Sequence, residues 1–193
     1  MIKVGYEEVR FETYRKNKKF FESKGFTYAL AERLVPISSM PVWDLYYLFE
    51  HAKQLLDGSC YLEIGAYLGS SLNCVAFAAS ASNKTIHLRV IDACIWSDFL
   101  KNCQHLDFML YPCGSDLAKD YIQDESINLL FVDGSHVYEQ VKKDFINYYP
   151  KLRKGGILLG HDYPQEGVKK AALEVFGVVE VPENSCMFKV TKR

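Results

Sequence analysis

The stretch "YLEIGAYLGSSLNCVAFAASA", Tyr61–Ala81, decides the fold. With Cys60 before it, "CYLEI" is a short apolar run of strand length. Gly65 and Gly69 then turn the chain. Beyond them Leu72, Val75, Ala76 and Ala79 recur at helical spacing. A strand, a glycine turn and a helix in direct succession open a βα unit. The strand also carries Glu63, and a carboxylate just ahead of a turn repels phosphate. The spacing is E-x-G-x-x-x-G, with Tyr67 where a dinucleotide fingerprint needs glycine, and no Gly-Lys-Ser/Thr follows to make a P-loop. The glycines allow a sharp turn and close approach of a ligand. Glu63 favours a ligand with positive charge or with hydroxyl and amine donors.

Working outward, the alternation continues. "IHLRVID", "DFMLYP", "INLLFVD" and "GGILLGHD" read as further strands, the third of them apolar enough to be covered on both faces. Trp96, Phe99 and Leu100 lie in the crossover before "DFMLYP". "SDLAKDYI" and "EGVKKAALEVF" read as helices, and Val137, Val141, Phe145 and Leu152 mark a long helix ending near 151–153. "VVEV" and "CMFKVT" around "PEN" read as a terminal hairpin. Ahead of the glycine turn, about the first 25 residues are helical and basic, with Arg10, Arg15, Lys16, Lys18, Lys19 and Lys24 on a solvated face, and Gly25 stops them. A second helix runs from Pro41 to about Leu56. The pattern is α/β: a doubly wound, mainly parallel sheet with helices on both faces.

The chain has 193 residues, 49% hydrophobic, and a formal net charge of −1. That suits one domain, with N-terminal helices over 1–57 and an α/β core over 58–193. The near-neutral charge offers no global attraction for nucleic acid or an anionic membrane. No apolar run reaches the length of a membrane span, and the N-terminus lacks the apolar centre of a signal peptide. The expected setting is cytoplasmic and soluble, without nucleic acid or membrane as partner. Cysteines at 60, 74, 94, 103, 113 and 186 show no C-x-x-C spacing and read as buried reduced thiols.

In such sheets ligands sit beyond the carboxyl ends of the strands. There lie Glu63, Gly65 and Gly69, then Asp92, then Ser115 and Asp116, then Asp133 and His136, then His161, Asp162 and Tyr163. Asp92 can accept hydrogen bonds from both hydroxyls of a ribose. Ser115 and Asp116 reach an adenine edge or cap a helix. Carboxylates gathered on one edge repel one another unless something cationic binds. They point to a nucleoside with a cationic group, with or without a metal.

"YLEIGAYLGSSL", "VIDA" and "LFVDGSHVYEQVKKDFINYYPKLRKGGILLGHDY" resemble the class I S-adenosylmethionine-dependent methyltransferases, in the branch with D-G-S-H after strand four and H-D after strand five. The resemblance spans roughly 36–163. It implies a Rossmann-like seven-stranded sheet with a C-terminal antiparallel hairpin. It also implies a methyl-donor site in which Glu63, Gly65, Ala66, Gly69 and Ser70 surround the methionine half, Asp92 the ribose and Ser115 the adenine, with Asp133 near the sulfonium. "ISSMPVWDLYYLFEHAK" is similar to the leading helix of catechol- and caffeoyl-CoA-type O-methyltransferases, which makes Ser39 and Met40 minor candidates. Metal-dependent relatives have an acid after strand four and Asp-Asn after strand five. Here the matching residues are Asp133 and Asp162-Tyr163, and Tyr163 departs from that pattern. A nitrogen from His161 or His136 would compensate and tilt the preference from magnesium toward a transition metal. The expected metal set is Asp133, His161 and Asp162. The bland alternative has His136 capping a helix and His161 packing against the strand end.

His136 is the expected general base, since its unperturbed pKa lies near working pH, with Asp133 as the alternative. The expected reaction is O-methyl transfer to a small-molecule acceptor, a sugar or secondary metabolite, with a homodimer as a further expectation. The competing readings are a nucleoside-binding module without chemistry, and a hydroxylase-like enzyme on the same scaffold. A nucleic-acid methyltransferase is disfavoured by the absence of N/D-P-P-Y/F after strand four.

Overall fold

The computed structural model describes residues 2–193, with side chains from residue 7 onward. Four helices come first: α1 (Ile2–Lys16), α2 (Lys18–Ser23), α3 (Tyr28–Leu34) and α4 (Val42–Lys53). Then strands and helices alternate: β1 (Cys60–Ile64), α5 (Ser70–Ala81), β2 (His87–Ile91), α6 (Ser97–Cys103), β3 (Phe108–Tyr111), α7 (Ser115–Ala118), β4 (Ile127–Val132), α8 (Tyr138–Tyr148), β5 (Leu152–Gly160), α9 (Glu166–Phe176) and β6 (Phe188–Thr191). The sheet order is β3-β2-β1-β4-β5-β6. All pairings are parallel except β5–β6. The order reverses between β1 and β4, which creates the crevice where ligands bind in open α/β sheets.

The β1 strand shows how the sequence builds both faces. Side chains alternate along it. Tyr61 joins Val90, Phe131 and Leu159 in a core shared with α4 and α5, and Leu62 and Ile64 join Leu130 and Val132 in a core shared with α8 and α9. Tyr14, Phe21 and Phe26 of the N-terminal region belong to the first core and are fully buried. Burying one such ring contributes roughly 1.5–3 kcal/mol.

Several expectations need correction. The sheet has six strands, not seven. The first arm of the expected hairpin shrinks to one bridge, Glu180 with Lys189. Val178 and Val181 are exposed, Val179 alone of the arm's valines packs on the second core, and Pro182 directly after the arm lacks an amide donor. The N-terminal helix breaks at Asn17, and α3 was not foreseen. Pro41 precedes α4 in extended conformation and is not its first residue. The helix expected to reach 151–153 ends at Tyr148, a single 3-10 turn with Pro150 follows, and Leu152 already belongs to β5. Arg10 is not on a solvated face. It is 9% exposed and its guanidinium binds the Ser38 and Ser39 carbonyls. Of the six cysteines, Cys60, Cys74 and Cys103 are buried, Cys113 and Cys186 are half-buried and Cys94 is exposed; all are free thiols. No described helix is long and apolar enough to cross a membrane.

Candidate active site

The glycine turn is shaped by its protein neighbours. Gly65 has φ +87°, and a Cβ there would sit 2.3 Å from the Asp133 carbonyl. Gly69 has φ +85°, and its Cβ would sit 2.3 Å from Cys103 Sγ. Both glycines therefore answer to crowding by β4 and α6 as well as to backbone sign. Locked this way, the turn presents the Ala66 and Tyr67 amides to Asp92, which directly follows β2. Ala66 N–H donates to Asp92 Oδ2 at 2.8 Å, and Cys94 N–H donates to Asp92 Oδ1 at 2.8 Å. Tyr67 N–H also donates to Oδ2, at 3.4 Å, so the spare lone pair for a ligand is on Oδ1.

Asp92 borders a cavity of about 390 Å³ at the reversal of strand order. Of the residues expected to bind the donor, Gly65, Asp92, Ser115 and Asp133 line it. Glu63, Ala66, Gly69 and Ser70 stand around the turn, off the cavity wall. The Ser115 hydroxyl donates to Asp144 Oδ1 at 2.6 Å, while Gln140 donates to both. Tyr67 and Trp96, edge to face at 6.3 Å, form a wall that the motifs did not announce.

Glu63 is fully buried. Its Oε2 accepts from Tyr61 Oη at 2.6 Å, and its Oε1 has no partner. Burial pushes its pKa up to about 8, although the Tyr61 and Ser71 hydroxyls work the other way.

Beyond Asp133 the rim holds its own cation. His161, 8% exposed, presents Nε2 to Asp44 Oδ2 at 3.0 Å. Its Nδ1 lies 3.2 Å from Asp133 Oδ1 and 3.3 Å from Asp162 Oδ2, without an aligned hydrogen bond to either. Burial works against charge on His161, but the carboxylates of Asp133, Asp162 and Asp44 outweigh it and push its pKa to about 12. The repulsion inferred along this edge is thus partly relieved from within. His136 is more open, with Nε2 2.8 Å from Asp162 Oδ2 and 3.9 Å from Asp133 Oδ1. Asp133 raises its pKa, burial opposes the rise and Asp162 adds to it. The close approach of His161, with His136 adding to it, lowers the pKa of Asp162 although burial opposes the shift. Asp162 has φ +57°, a conformation that side chains adopt at a cost and that recurs at functional sites.

Ligand atoms of Asp133, His136 and Asp162 lie within 4.8 Å of one another, a grouping able to hold a metal ion. The expected set had His161 in place of His136, and both imidazoles border the two acids. Ser39 is exposed with its carbonyl bound by Arg10, and Met40 is buried in the core. Asp44 escaped the sequence reading. It is fully buried at the start of α4, where the Ser185 hydroxyl and the Cys186 N–H also reach it. Its one signal is an acid inside the otherwise apolar "VWDLYYLF".

The chain is 31% identical over 121 residues to an uncharacterized protein of Acanthamoeba polyphaga mimivirus, covering 55% of this chain and 52% of that protein. A shorter likeness, 51% over 45 residues, to an uncharacterized protein of Sinorhizobium fredii covers 23% of this chain and 5% of that one. The chain therefore spans about half the length of the first relative and a small part of the second. Among solved structures, a Corynebacterium glutamicum protein superposes with a TM-score of 0.69 at 14% identity, covering 93% of this chain and 97% of that one. CalS11, a TDP-rhamnose 3'-O-methyltransferase of calicheamicin biosynthesis, gives 0.60 at 15% identity, covering 94% and 93%. The MycE methyltransferase of the mycinamycin pathway, solved with Mg and SAH, gives 0.59 at 16% identity, covering 86% and 54%. At these identities the likeness establishes the Rossmann-like methyltransferase fold. The stretch from β1 to the H-D pair, residues 62–163, matches the model of a methyltransferase domain, and the chain belongs to that family.

Proposed function

We propose that the chain transfers the methyl group of S-adenosylmethionine to a hydroxyl of a small molecule, a sugar or a secondary metabolite. One observation carries this reading. The cavity wall runs from the glycine turn past Asp92 and Ser115 to Asp133, and the His136–Asp162 pair stands just beyond Asp133. Donor and acceptor would thus meet at the end of β4. The sugar O-methyltransferase CalS11 among the structural likenesses supports a hydroxyl acceptor.

The residues fit the donor. The spare lone pair on Asp92 Oδ1 suits a ribose hydroxyl. The unpartnered Oε1 of Glu63 suits the ammonium of the methionyl end, which would replace the proton that burial favours there. Asp133, on the same cavity wall, suits a positively charged sulfur. The residues also fit a divalent metal. Asp133 and Asp162 offer oxygens, and Nδ1 of His161 would join them once an incoming ion displaced its proton. Asp44 on Nε2 completes the carboxylate–histidine arrangement that orients metal-bound imidazoles. A bound metal would make the acceptor hydroxyl more acidic, and the mixed oxygen–nitrogen set suits a transition metal as well as magnesium.

In the reaction the acceptor oxygen attacks the methyl carbon, the carbon–sulfur bond breaks, and its electron pair stays on sulfur. The protein supplies alignment, which turns a two-body encounter into a one-body step, and it removes the hydroxyl proton. His136 Nδ1 is 3.3 Å from Gln165 Nε2, while Nε2 faces Asp162. This arrangement keeps the proton on Nε2 and leaves Nδ1 as the accepting nitrogen once Gln165 gives way. Asp162 then orients the imidazole and stabilises its charged form.

The test is a methyl-transfer assay over sugar nucleotides, catechols and small alcohols, with and without magnesium or manganese. Formation of S-adenosylhomocysteine that depends on one acceptor class is the expected outcome. Tight binding of the donor with no transfer to any acceptor would make the chain a nucleoside-binding module.

A further inference from the structure

Behind the glycine turn lies a second cavity of about 370 Å³, close in size to the first and sharing no lining residue with it. Volumes of this order suit a small organic ligand. The cavity lies between α3, the outer face of α5 and the end of α6. Helix α5 buries Leu72, Val75 and Ala79. It leaves Asn73 and Phe77 half-covered on the other side, where Leu34 of α3 extends the apolar floor. The charge at the lip is one-sided. Arg33 and His105 stand exposed there, and no carboxylate lines the cavity. Neither Arg33 nor His105 is in an ion pair among the described residues.

Two asparagines connect this cavity to the turn. Asn102 Nδ2 donates to the Leu68 carbonyl at 3.0 Å, and Asn73 Nδ2 donates to the Gly69 carbonyl at 2.9 Å. Both asparagines line the second cavity, while Gly65 and Tyr67 of the same turn line the first. A ligand that presses on these amides therefore presses on the segment that presents the Ala66 N–H to Asp92.

We propose that the second cavity is an effector site for a small carboxylic acid with a compact apolar body. The carboxylate lies at Arg33 and His105, the body rests on Leu34 and Phe77, and occupancy alters methyl-donor affinity through Asn73 and Asn102. The coupling rests on the donor reading above, and the binding does not.

The test titrates 4-phenylbutyrate into the full chain, followed by backbone amide resonances, with 4-phenylbutyramide as the neutral twin and Arg33→Gln as the variant. Resonance shifts should centre on α3, α5 and residues 102–106. Affinity should fall about tenfold for the amide, and equally for the variant, with the loss of a charge-assisted contact. Equal affinity for acid and amide, shifts confined to the Asp92 cavity, or no shifts up to about 10 mM would overturn the site. S-adenosylhomocysteine is then titrated with and without saturating acid, and its affinity should change about fivefold. Unchanged affinity with the acid bound removes the coupling. Should S-adenosylhomocysteine fail to bind even without the acid, the donor reading and the coupling both fall, while the acid titration still decides the site.

Discussion

Glu63 and Asp44 are both fully buried carboxylic acids, yet their surroundings differ completely. Glu63 has hydroxyl company and one oxygen with no partner. Asp44 has an imidazole, a hydroxyl and a backbone amide. In the first setting burial wins and favours a proton. In the second a charge partner is built in. Acids gathered at a sheet edge are thus not all waiting for a ligand. Those near His161 already share a cation, and the unmet capacity lies at Glu63 and Asp92, around the glycine turn.

The comparison sharpens if each acid and its partner are removed in turn. His136→Ala should cause the largest effect, a fall in turnover of about 10²- to 10⁴-fold with donor affinity held, since only proton removal is lost. Collapse of donor affinity with turnover intact would place His136 in the donor site. Asp44→Ala leaves buried His161 without its inner carboxylate and should cost about 3–5 kcal/mol in urea unfolding. A loss below about 1 kcal/mol would mean that the pair is no anchor.

Glu63→Gln probes the other acid. The folded-state pKa is raised from 4.5 to about 8, so the folded chain holds a proton that the unfolded chain releases. Stability from this group is full below pH 4.5 and is lost as pH climbs toward 8. The variant should flatten that decline and gain on the order of 3 kcal/mol over wild type near neutral pH. Parallel pH profiles for the two proteins would show that Glu63 keeps its charge. Asp92→Ala should have the smallest effect, about tenfold weaker donor binding in a titration, because a charge-assisted ribose contact is lost at a half-exposed site.

Much of the fold could be read because local pattern and tertiary role agree. Gly65 and Gly69 bound a turn that no other residue type would fit at both ends. The apolar run of β4 became a central strand, and α9 lies at Glu166–Phe176 as its spacing indicated. The lost seventh strand shows the opposite case. "VVEV" has strand composition, but with Val178 and Val181 left exposed it forms one bridge. Strand alternation already placed Glu63 on the Tyr61 face, away from Leu62 and Ile64. Its full burial needed tertiary knowledge. Asp44 lay further out of reach, because its partner His161 is 117 residues away. The strand-end rule names residues after strands and is silent about a helix that packs beneath them.

The most direct measurement is a calorimetric titration of S-adenosylhomocysteine into the wild-type chain at neutral pH. One site with a dissociation constant of about 1–100 μM, weakened by Asp92→Ala, is the expected result. No heat up to about 1 mM, or binding indifferent to Asp92, would contradict a methyl-donor site beside the glycine turn.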